Sequence, residues 1–166
     1  MSFRVLVIPE DPTYNGYILK PLAERMLAET GKPQARVALL TNPKLGGIEE
    51  AKAAVRGKLV EAYGHFDLWL FLPDADRASG LDELEKAVAA RGVRLFCCAA
   101  RPEVEAWLLA GHRDKLGLAW SEVVRHPRLK EGVFEPFLAA HGDPRRAGRA
   151  DEGDARQLPG TAEGMP

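Results

Sequence analysis

With 166 residues, 18.2 kDa, 46% apolar and 28% charged residues, the chain has the length and mixture of one folded domain rather than a disordered one, able to remove roughly 70% of its unfolded surface from water. A formal net charge of −1 and a pI near 6.4 exclude a whole-protein field that attracts nucleic acid, so any such contact has to be local or metal-assisted. The longest apolar stretches, Phe66 to Pro73 and Val93 to Ala100, fall far short of the ~20 residues of a membrane span.

Phe3 to Pro9 is β-branched or apolar at nearly every position, the pattern of a central parallel strand covered on both faces. The start Met-Ser-Phe-Arg lacks the regions of a signal peptide, so a cytoplasmic location without membrane contact is expected. The segment Glu10 to Gly16 reads as a turn. After it Ile18, Leu19, Leu22, Met26 and Leu27 recur at helical spacing, predicting a helix of about four turns that Gly31 closes. A strand follows near Ala35 to Thr41, then the Gly46-Gly47 turn, a helix from Ile48 to Tyr63 and a third strand from Phe66 to Leu72. Ser79 is positioned to cap a helix running to Arg91, and Val93 to Ala99 supplies a fourth strand. Cys97 and Cys98 lie inside that strand as core thiols, their side chains on opposite faces and unable to bridge.

Beyond Arg101 the reading is helical, near Pro102 to Ala110, Trp120 to Arg125 and Gly132 to His141. The alternation predicts an α/β fold: a three-layer sandwich with a mainly parallel central sheet of about four strands and a helical C-terminal part, spanning residues 1–142. Residues 143–166, rich in Pro, Gly and Arg, are expected to form a disordered tail.

Ligands of open parallel sheets bind outside the carboxyl ends of the strands, and three acids are expected there. Glu10 follows the first strand; Asp74 and Asp76 follow the third, two apart and, in an extended segment, on one side. Carboxylates ~5 Å apart repel by roughly 3 kcal/mol at an effective dielectric of 20. A Mg²⁺ or Mn²⁺ ion, which takes oxygen ligands, relieves that repulsion. The plainer role for the aspartates is to cap turns or the next helix and to pair with Arg77; for Glu10 it is an exposed turn carboxylate.

A strand-end Glu followed two elements later by Asp-x-Asp resembles the TOPRIM domain. The segment Arg101-Pro102-Glu103-Val104-Glu105-Ala106-Trp107-Leu108-Leu109 is similar to a helix of small TOPRIM-like proteins related to RloB and to the overcoming-lysogenization-defect nucleases. The resemblance covers about residues 3 to 142. It implies metal-dependent phosphodiester cleavage of nucleic acid, with Glu10, Asp74 and Asp76 binding one ion and Glu103 or Glu105 helping with a second; Glu105 joins the first three as a catalytic group. Lys20, Arg77 and Arg101 are the candidate cations for substrate phosphate. An ABC-type ATPase partner in phage defence is implied as well. Those relatives carry Gly straight after the first Glu, whereas Asp11-Pro12 follows here, so either Glu10 or Asp11 is expected to face the metal.

Two other readings compete. A receiver-like phosphoacceptor domain also gathers acids around magnesium, but the fourth strand ends in Cys-Cys-Ala-Ala without a hydroxyl residue. A non-catalytic binding module would keep the fold and the acids and only dock on a partner. No phosphate-binding Gly-rich motif follows a strand, Gly46-Gly47 reads as a simple turn, and the four histidines lack metal-ligand spacing.

Overall fold

In a computed structural model the described residues are 2–10, 12–75 and 78–142, with 12–14 described through their backbone. Asp11, Asp76, Arg77 and the expected tail 143–166 lie outside them. Four strands, β1 (Arg4–Pro9), β2 (Arg36–Leu39), β3 (Leu68–Leu72) and β4 (Leu95–Cys97), form an all-parallel sheet in the order β2-β1-β3-β4. The period-two alternation of side chains divides the core between the two faces. Leu6, Ile8, Trp69, Phe71 and Leu95 point to one side, where they pack with Ile48, Val55, Leu59, Leu84 and Val88. Those partners come from α2 (Ile48–Arg56), α3 (Lys58–Tyr63) and α4 (Leu81–Ala89). Val7 and Leu72 point to the other, against Leu19, Ala23, Val104, Leu109, Val123, Phe134 and Leu138. This second layer holds α1 (Pro12–Glu29), α5 (Val104–Ala110), α6 (Trp120–Val123), a π-helical turn (Lys130–Phe134) and α7 (Glu135–His141). The α/β three-layer architecture and its helical C-terminal part are as the sequence predicts.

Several local expectations change. The Glu10 to Gly16 segment is not a long turn, because α1 begins at Pro12; proline fixes the first helical φ and lacks a donor that would be orphaned there. The second helix is two, broken at Gly57, which has φ −119° and ψ −106°. Ser79 does not cap α4: Gly80 occupies the N-cap in a left-handed conformation, with no side-chain cap bond.

The thiols are corrected too. Cys97 is half-buried against the α2–α4 layer and Cys98 exposed, because β4 is the edge strand; on its other face Phe96 and Cys98 line an open groove with residues of α1 and α5. Burial, reinforced by Glu85, pushes the Cys97 thiol up to about 12, while the Glu85 carboxylate accepts the Cys97 N–H at 2.6 Å and so covers part of the strand edge. Among the described residues no helix is long and apolar enough to cross a membrane.

Candidate functional site

β1 and β3 are parallel neighbours, with Pro9 opposite Leu72. Glu10 and Asp74 therefore leave the sheet at the same end and side by side. The order β2-β1-β3 also reverses there: the chain steps from β1 to one side, then crosses back to β3. Such a switch point leaves a crevice at the carboxyl ends of the strands.

The third wall comes from α5. A parallel bridge between Asp74 and Ala100 extends the β3–β4 pairing past the strand ends, and Ala75 N–H donates to Ala100 O at 2.9 Å. The chain leaves the extended conformation at Ala75, which is in a 3-10 turn; Asp76, the second acid of the expected Asp-x-Asp pair, lies outside the described residues. α5 then starts beside Asp74, whose Oδ1 accepts the Val104 N–H at 2.9 Å. One of the orphan donors of the helix N-terminus is thereby satisfied by a residue thirty positions earlier. Glu103, at the N-cap position, makes no side-chain cap bond. The capping role foreseen for Asp74 is real, but it serves α5 and not the next helix.

Glu10, Asp74, Glu103 and Glu105 line one cavity of about 340 Å³, together with Asn15, Lys130 and the Leu45-Gly46-Gly47 turn. Glu105 is only 4% exposed. Burial raises its pKa most, and the charges of Asp74 and Glu131 add to that, against the opposing effects of its own backbone N–H and of Lys130. The Glu103 carboxyl is also raised, by burial first, then by Glu105, Asp74 and Glu131, with Lys130 opposing. These directions share one cause: more carboxylate charge is gathered and desolvated here than the protein's own cations offset.

Among the described residues Lys130 is the cation that lines the cavity, its Nζ 3.9 Å from Glu105 Oε1. It opens the π-helical turn, anchored by buried Leu129, Val133 and Phe134 in the core layer that also holds α5. π-Helical turns recur at functional sites because they re-aim side chains within a helix.

Of the expected acids, Glu10, Asp74, Glu103 and Glu105 are brought together. Lys20 is not: it lies on the surface of α1, 3.9 Å from Glu24, with both side chains half exposed. Arg101 is exposed and does not line the cavity. Both were proposed from proximity along the chain, which the outward faces of α1 and of the β4–α5 turn override. The sequence reading missed Lys130, Asn15 and the wall role of Gly46-Gly47. Asn15 had a signal, since Pro12 as a first helical residue would have put it in the first turn of α1; Lys130 had none.

Among the described residues no group of three or more His, Cys, Asp or Glu already stands at metal-holding spacing. The chemistry of the set still fits a hard divalent cation. The acid ligands are all oxygen donors, and the raised Glu103 and Glu105 are the groups whose repulsion such an ion relieves. No protein-family model, no curated protein and no solved structure matches the chain.

Proposed function

We propose that the protein is a divalent-metal-dependent phosphodiester hydrolase of TOPRIM-like type acting on nucleic acid, with the ABC-type ATPase partner that the sequence resemblance implies. One observation carries the reading: carboxylates from two strand ends and from α5 meet in a single cavity at the switch point of the sheet, where charge and burial push two of them above their usual pKa.

On this reading Glu10, Asp74 and Glu105 would hold a Mg²⁺ or Mn²⁺, which when bound supplies Lewis acidity toward phosphoryl oxygens. Glu103, less buried than Glu105 and at the start of α5, is placed to accept a proton from the attacking water. Lys130 neutralises charge on the side of the cavity facing Glu105 and replaces Lys20 and Arg101 as the contact for substrate phosphate. Asp74 fixes the position of α5 through the Val104 N–H and would ligate the ion as well. With a net charge of −1, affinity for nucleic acid would have to come from this local cation set and from the metal.

The same Asp74–Val104 bond weighs against a receiver-like phosphoacceptor, whose strand-end aspartate must be a free nucleophile. The test is cleavage of labelled DNA and RNA oligonucleotides in Mg²⁺ or Mn²⁺ by the wild type, Asp74→Asn and Glu105→Gln. The reading expects metal-dependent cutting that each variant lowers at least about 100-fold, since each removes an ion-binding charge. A wild type that binds the ion and cuts neither polymer would make it a binding module; phosphate incorporation from acetyl phosphate would make it a phosphoacceptor.

A further inference from the structure

One polar side chain in the cavity belongs to neither the acid set nor its counter-cation. Asn15 is 5% exposed, lines the cavity, and its carboxamide has no hydrogen-bond partner among the described residues. Its amide atoms are not enclosed by protein, so a ligand in the cavity can accept its N–H groups. Beside it in the cavity wall stand Gly46 and Gly47, the entry to α2.

That entry is built open. Gly47 is the N-cap of the nine-residue α2, with φ 116° and ψ 178° and no side-chain cap bond, a conformation essentially restricted to glycine. A Cβ there would meet nothing within 4 Å, so the backbone faces open space. Gly46 N–H is already engaged, donating to Glu50 Oε2 at 2.9 Å, whereas the first N–H groups of α2 are orphans that no side chain caps. They carry the positive end of the helix dipole.

The topology orders these groups along the cavity. Gly46-Gly47 follows β2, Glu10 and Asn15 follow β1, and Asp74 and α5 follow β3 and β4, in the lateral order of the strands. The uncapped N–H groups of α2 and the Asn15 carboxamide thus lie toward β2 and β1, beside Glu10 and the Glu50 carboxylate held by Gly46 N–H, while Asp74, Glu103 and Glu105 lie toward β3 and β4. We infer that the Asn15 carboxamide and the Gly47 entry of α2 form a phosphate-oxygen subsite next to the acid cluster, so that a phosphate group bridges from the metal to these donors. The inference rests on the metal-dependent reading above and adds to it the group that recognises the anion. Asparagine suits this place where aspartate would not, because its Nδ2 donates and carries no charge to repel a phosphate.

The experiment is calorimetric titration of the full chain, first with Mn²⁺ alone and then with inorganic phosphate added to the Mn²⁺-loaded protein. Wild type, Asn15→Ala, Asn15→Asp and Gly47→Ala are compared, with thermal melts to verify folding. Asn15→Ala is expected to keep Mn²⁺ affinity within about three-fold and to weaken phosphate about ten-fold, the loss of one charge-assisted hydrogen bond. Asn15→Asp is expected to abolish phosphate binding and tighten Mn²⁺. Unchanged phosphate affinity in folded Asn15→Ala would overturn the inference, as would loss of Mn²⁺ rather than phosphate, which would make Asn15 a metal ligand. No Mn²⁺-dependent phosphate binding by the wild type would overturn it too. If Gly47→Ala unfolds the chain, the two Asn15 variants still decide. Phosphate binding that depends on Asn15 in a protein that cuts no nucleic acid would leave the subsite standing and the hydrolase reading fallen; cutting with an unchanged KM in Asn15→Ala would do the reverse.

Discussion

Asp74 accepts the Val104 N–H and, on the proposed reading, ligates the ion; two substitutions separate these roles. Asp74→Ala removes the acceptor for Val104 N–H and is expected to cost about 1 kcal/mol, or roughly 3 °C in Tm for a chain of this size. Asp74→Asn keeps an acceptor oxygen, so it should melt close to the wild type and still fail to bind Mn²⁺; a melt as low as that of the alanine variant would show that charge, not the cap, holds α5. Glu105 gives the pH test. Its folded pKa is raised, by burial above all, so the folded state keeps a proton that the unfolded chain has already released. Stability therefore falls as pH rises from the ordinary carboxylate range through the raised value, and the penalty is complete above it. In metal-free buffer Glu105→Gln should melt like the wild type near about pH 4 and higher than it at about pH 7. Mn²⁺ affinity should move oppositely, rising with pH as protons stop competing. At this scale the sequence disclosed Glu10 and Asp74, because strand ends in a parallel sheet are legible from pattern alone, whereas Glu103 and Glu105 were pointed to by the resemblance of their segment. Lys130 and Asn15 were not legible: what makes each matter is a contact across the fold, and Lys20 and Arg101 were near the site only along the chain.

Elements were legible where apolar periodicity set them and less so where one backbone residue decided. The strands and main helices follow from alternation and from Leu and Val at helical spacing, yet Pro12 moved the start of α1, Gly57 split a helix, and Gly80 took the cap that Ser79 was expected to supply. Gly47 is the sharpest such case. Its φ of 116° means that Gly47→Ala should cost about 1–3 kcal/mol even though nothing crowds the added carbon, measured by denaturant unfolding; a neutral substitution would show that the turn relaxes. The edge strand behaves oppositely. Phe96 is 55% exposed, so Phe96→Ser should change stability by no more than about 0.5 kcal/mol, and a larger loss would mean that something covers β4.

For the whole molecule, the α/β class was readable because four apolar strands separated by helices admit few arrangements, and right-handed crossovers leave fewer. The strand order was not readable, and it is the order that builds the candidate site: β1 beside β3 puts Glu10 next to Asp74 and opens a crevice at the strand ends. Trp69 and Phe71 on β3 are fully buried and hold that pairing from below. Phe71→Ala should cost about 3–5 kcal/mol and lower Mn²⁺ affinity indirectly, by loosening the strand ends. The central claim, that acids from separate strand–helix junctions jointly hold a cation, is tested most directly by anomalous scattering from crystals soaked in Mn²⁺. The account predicts one peak bonded to carboxylate oxygens of Glu10, Asp74 and Glu105, with Lys130 drawn away from Glu105. A cavity in which Lys130 Nζ keeps that place and no manganese enters would contradict it.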